Sequence, residues 1–195
     1  NNSNVVLYRS VFIIYYTKGY LYYLSLDSTH KKMLLSKINL ASHQIDYQKN
    51  IAINNGLFLP TISFSPTVDV AAYYLGIVVD NDEVFLSGTT NANDYPTTQN
   101  SYQSQYPTGG SDAYFITKLN ATGDIVFSTF ANYNPQRTIV PYPQIAVTNN
   151  EVAFYNAVGA GIPVSAGGLD FNTAAVANNG LLKLNRVNGA FNYFS

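Results

Sequence analysis

Apolar residues along this chain come in short runs that alternate with polar ones, and they do not recur at the three-to-four residue spacing of an amphipathic helix. In DAYFITKLN, Tyr114, Ile116 and Lys118 fall on one side of an extended strand, and Phe115, Thr117 and Leu119 fall on the other. The runs are rich in β-branched and aromatic residues and are bounded by Asn, Asp, Gly and Pro, which is the pattern of strands joined by tight turns. GIVVDNDEVFLSG places Asp80, Asn81 and Asp82 between two such runs, IAVTNNEVAFYN turns at Asn149 and Asn150, and FIIYYTKGYLYYLS turns at Lys18 and Gly19.

One pattern occurs three times. LLSKINLASHQIDYQ, ITKLNATGDIVFSTF and LLKLNRVNGAFNYFS each carry a Lys, a branched aliphatic and an Asn, then a turn and an aromatic-bearing run, centred on Lys37, Lys118 and Lys183. Each follows one of the hairpins above, so each unit reads as four strands in the order a, turn, b, loop, c, turn, d. A four-stranded meander repeated in tandem predicts an all-β chain of β-propeller blades. The alternative is a β-sandwich of about twelve short strands. The predicted blades are residues 1–55, 56–131 with a long b–c loop at 89–111, and 132–195. In the first c–d turn, Ser42 and His43 stand where the others have Gly.

The second unit resembles the bacterial beta-propeller repeat often called the SBBP repeat. That family shows a strand ending in Gly-Thr-Thr, an Asp/Asn-aromatic-Pro-Thr step, a Gly-Gly-x-Asp-Ala-aromatic run and a Lys-Leu-Asn with a Gly turn. These fall here on Gly88 to Thr90, Asp94 to Thr97, Gly109 to Tyr114 and Lys118 to Gly123. The match covers about a quarter of the chain. The third unit departs from it at Ile162-Pro163 and Asn179-Gly180, and the first lacks the long loop. The resemblance implies a bacterial extracellular protein, which the Asn-, Tyr- and Ile-rich composition suits. Propellers usually have four to eight blades. Three units and a first residue that is not Met therefore lead us to expect a processed or partial chain, or one completed by other copies.

Bulk composition narrows the partners. Of 195 residues, 47% are hydrophobic and only 11% charged, with a net charge of −1, so no basic field suits nucleic acid. The longest basic run, Lys31-Lys32, reads as a solvated hairpin. There is no Cys, and hence no disulfide framework, thiolate nucleophile or thiolate metal site. No apolar run reaches the roughly 20 residues that span a bilayer.

Catalytic patterns are scarce. His30 and His43 lie at turns with no zinc-binding or nucleophile motif around them. Asp80 and Asp82, with Asn81 and Glu83, are candidate oxygen ligands for calcium, but their tight grouping fits a hairpin turn as well. No pair of carboxylates stands out for glycoside hydrolysis. Asn120-Ala121-Thr122 matches a glycosylation acceptor but coincides with the repeated turn, and we read it as structural. We expect neither metal nor cofactor.

The tyrosines carry the functional expectation. In a propeller the b–c loop and the d–a connection emerge on one face, bringing Tyr95, Tyr102 and Tyr106 near Tyr133 and Tyr142. Exposed Tyr rings suit stacking on sugars or docking of a protein. The competing reading is that these rings pack their own loop down. The expected function is a non-catalytic, secreted or cell-surface segment that binds protein or glycan. A subunit of a self-assembling surface appendage is the second reading, and a polysaccharide-acting enzyme module is the third.

Overall fold

The computed structural model describes residues 12–27, 32–52, 75–90, 93–107, 113–133, 144–158 and 178–194. They form twelve strands and no helix: β1 Phe12–Thr17, β2 Tyr20–Asp27, β3 Lys32–Asn39, β4 Gln44–Ala52, β5 Leu75–Asp80, β6 Glu83–Thr90, β7 Ala113–Leu119, β8 Ile125–Tyr133, β9 Gln144–Val147, β10 Glu151–Val158, β11 Asn178–Asn185 and β12 Phe191–Phe194. These make three separate four-stranded antiparallel meanders, β1 to β4, β5 to β8 and β9 to β12. Among the described residues the sheets do not close into a ring.

The turn chemistry explains the hairpins. Lys18 and Gly19, and likewise Asn81 and Asp82, all adopt positive φ, which matches the right-handed twist of the flanking strands. The Asn of each repeated motif caps the following turn through its side chain. Asn39 Oδ1 accepts from Ala41 N at 2.9 Å, Asn120 Oδ1 from Thr122 N at 3.0 Å, and Asn185 Oδ1 from Val187 N at 2.8 Å. Asn120 Oδ1 also accepts from Asp124 N at 2.9 Å, so the amide of the glycosylation-like motif is engaged in shaping its own turn.

Register repeats with the sequence. Lys37 lies opposite Tyr47, Lys118 opposite Phe127 and Lys183 opposite Tyr193, and in each sheet the register shifts immediately after that Lys. One bulge, at one place in the unit, therefore occurs three times.

The middle sheet is covered on both faces. Tyr22, Leu24, Met33, Leu35 and Ile51 from the first sheet pack on Val84, Leu86, Phe115, Leu119 and Phe130 from the second. The opposite face of the second sheet, with Phe85, Ile116, Phe127 and Ala131, packs on Val152, Phe154, Leu182 and Leu184 of the third. Strand β7 is accordingly buried at nearly every position, since alternate side chains enter different cores. The first strands lie side by side, β5 next to both β1 and β9. The three sheets are stacked in chain order, which is not the two-sheet arrangement of a sandwich.

Candidate functional site

The acids of the second a–b turn sit where the sheets meet. Asp82 Oδ1 is 3.3 Å from Lys37 Nζ of the first sheet. Glu83 Oε1 is 2.6 Å from Lys118 Nζ, and Glu83 Oε2 is 2.8 Å from Arg186 Nη2 of the third sheet. Arg186 Nη1 donates to Asp80 Oδ2 at 2.6 Å and to the Thr148 carbonyl at 2.7 Å. Lys118 Nζ also donates to the Arg186 carbonyl at 3.1 Å, and both cations lie over the Phe85 ring. Burial opposes the charge on Glu83, but hydrogen bonds from Lys118 and Arg186 outweigh it and hold the carboxyl below its ordinary value.

These contacts engage the carboxylates that were candidate calcium ligands. Asp80 and Asp82 face cationic side chains from neighbouring sheets, so they serve as ties between sheets. Positive charge at the same oxygens opposes a divalent ion. Among the described residues no group of three or more His, Cys, Asp or Glu is placed to hold a metal. Arg186 went unnoticed in the sequence, although a signal exists: the residue after the repeated Asn is Leu40, Ala121 and Arg186 in the three units. A single charge at an otherwise apolar repeat position marks a contact particular to that unit.

The tyrosines divide. Tyr95 is 2% exposed, its ring stacked on Phe115 at 4.3 Å. Its hydroxyl is 2.8 Å from Thr117 Oγ1, which in turn is 2.7 Å from Ser128 Oγ. Tyr95 is therefore a core residue and offers no ring to a ligand, because a large aromatic whose hydroxyl finds a buried partner gains from leaving water. Burial pushes its hydroxyl pKa up. Tyr106 is half-buried, edge-on to Phe130 at 5.3 Å. Tyr102 is half-buried and stacks on Phe191 of the third sheet at 5.5 Å, and burial raises its pKa as well. Tyr133 has its backbone in β8, paired with Ala113, rather than in the connection beyond it. Tyr142 and His30 lie outside the described residues.

The long loop is a strap. Thr98 N donates to the Ser128 carbonyl at 2.8 Å, Phe130 N to the Gln103 carbonyl at 2.9 Å, and Gln103 N to Thr129 Oγ1 at 2.7 Å. Tyr102 N reaches the Gly189 carbonyl at 3.0 Å. Residues 98–103 thus cover the outer edge of β8, which would otherwise present an open row of backbone groups, and fasten the second sheet to the third.

No family model matches the chain, and no curated protein matches its sequence. A few large apolar side chains remain on the surface among the described residues. The Tyr102–Phe191 stack lies at the rim between the second and third sheets, and Tyr155 stands exposed on the third. No described helix is long and apolar enough to cross a membrane.

Proposed function

We propose that the chain is a run of three β-propeller blades acting as a non-catalytic binding module, of the secreted or cell-surface kind that the repeat resemblance implies. The propeller reading is supported by the first strands lying side by side and by one Lys, one bulge and one Asn-capped turn repeating in each sheet. The observation that carries the non-catalytic reading is the commitment of the ionisable groups at the turns. Asp80, Asp82 and Glu83 are held by Lys37, Lys118 and Arg186 across sheet boundaries. A carboxylate kept ionised by two cations is a poor general acid.

Binding then falls to the rim, where the half-buried Tyr102 ring and the exposed Phe191 ring offer apolar faces suited to a sugar ring or a protein side chain. A glycan array, run beside an assay for released sugars on the same polysaccharides, tests this. Retention without release is the expected result. Release that disappears when one acidic residue is replaced would make the chain an enzyme module and overturn the reading.

A further inference from the structure

Each sheet has a back row, one residue per strand, whose first three residues in two cases pack on the sheet before it. In the second sheet the row is Val79, Val84, Leu119 and Ile125, and in the third it is Val147, Val152, Leu184 and Phe191, each paired in register with the next. The same register in the first sheet aligns Tyr16, Leu21, Ile38 and Ile45. This row is apolar throughout, yet Tyr16 is 66% exposed where Val79 is 8%, and Ile45 is 57% exposed where Ile125 and Phe191, at the same corner of the covered rows, are 38% and 39%. Among the described residues no sheet lies on it.

The opposite end of the stack shows the converse. The lysine row faces forward: Tyr15, Tyr22, Lys37 and Tyr47 in the first sheet, and Val78, Phe85, Lys118 and Phe127 in the second. The glycine turn of the following sheet comes down on each. An added Cβ at Gly123 would be 2.8 Å from the Tyr47 ring, and one at Gly189 would be 2.5 Å from the Phe127 ring. The third sheet has the same row, Ala146, Ala153, Lys183 and Tyr193, with no described sheet on it. Its two alanines make that face shallow beside the protruding Tyr16 and Ile45.

We propose that a second copy of this chain docks the lysine face of its third sheet on the Tyr16–Leu21–Ile38–Ile45 row of the first. The interface would repeat the two that already exist inside the chain. The turn that meets Tyr193 of the other copy is the one carrying His43, whose φ of 57° lies in the left-handed region with Gly123 at 81° and Gly189 at 70°. The turn keeps its backbone form and brings an imidazole where the other turns bring a bare Cα. Such a contact is heterologous, head to tail, and the described residues of two copies joined at both ends present six sheets, a number at which radial stacks close. The proposal rests on the stacked-blade reading above.

Sedimentation velocity across a wide concentration range tests it with three variants. Wild type associates, and Ile45→Lys, which spoils only the back row, and Tyr155→Lys, which spoils only the forward face, each weaken self-association at least tenfold. An equimolar mixture of the two variants forms a heterodimer, because one intact contact remains between them. His43→Gly tightens association by removing the side chain at the closest approach. Wild type that stays monomeric, or a mixture of the two variants that does not pair, overturns the proposal. Thermal unfolding of each variant near the wild-type temperature locates a negative result at the docking surface and leaves the stacking inside the chain standing.

Discussion

Gly189 of the third sheet is seated against the ring of Phe127 in the second so closely that a Cβ there would lie 2.5 Å from Phe127 Cδ2. Its φ of 70° alone favours glycine. The ring beneath makes a second, independent demand for it.

Comparing two glycines separates those demands. Gly19 has a φ of 82° but nothing within 4 Å of an added Cβ. Gly19→Ala should cost only the left-handed strain, about 1 kcal/mol. Gly189→Ala adds overpacking against Phe127, for a total of about 2–4 kcal/mol. Urea unfolding of both variants measures the difference, and equal losses would mean that the third sheet does not press on the second as described.

Arg186 ties the third sheet to the second through Asp80 and Glu83. Replacing it with Met keeps the stem and removes the charge, leaving two carboxylates short of a partner. We expect a loss of about 2–3 kcal/mol, below the full cost of breaking a deeply buried pair because the acids retain some solvent. Lys49 and Asp124, 2.7 Å apart, also bridge two sheets but are exposed. Replacing Lys49 with Met should leave the midpoint of unfolding nearly unchanged.

Acid should weaken the same junction. The Glu83 carboxyl is held below its ordinary value of 4.5, so the folded chain binds that proton less tightly than the unfolded chain does. Its contribution is fully present above the unfolded value and is lost as pH falls through the folded one. Stability measured from pH 6 downward should decline below about pH 4.5. Glu83→Gln should be less stable at neutral pH and flatter across the acid range. An unchanged slope in that variant would assign the acid sensitivity elsewhere.

The strap gives a prediction about tyrosines. Tyr95→Phe keeps the ring and removes the hydroxyl from the buried Tyr95–Thr117–Ser128 chain, at a cost of about 1–2 kcal/mol. Tyr102→Ala and Tyr106→Ala give up half-buried ring contacts to Phe191 and Phe130 and should each lower the melting temperature by several degrees. Variants of Tyr102 or Tyr106 that bind nothing yet melt like wild type would instead make these rings pure contact residues.

Strands and turns were legible because period-two alternation and Asn, Asp and Gly at tight turns act locally. The repeat adds the meander order, since a unit that recurs must fold the same way each time. Residue type alone could not place the side chains of the long loop. Exposed binding rings and rings packing their own loop both fitted the sequence; Tyr95 is buried and Tyr102 and Tyr106 are half-buried. An amphipathic ring suits either setting, and the hydroxyls of Thr117 and Ser128 that receive Tyr95 come from other strands.

Alternation in a strand distinguishes two faces without saying what covers either one. KLN and KIN look alike in the sequence, yet Lys37 and Lys118 meet a following sheet and Lys183 has none among the described residues to meet. The chain by itself thus determined the strands, their turns and their order within each sheet, all set by neighbours a few residues away. Tertiary structure alone decided which faces join, and with them the roles of Asp80, Glu83 and Arg186. Burial and charge pairing depend on groups far apart in the chain that only stacking brings together.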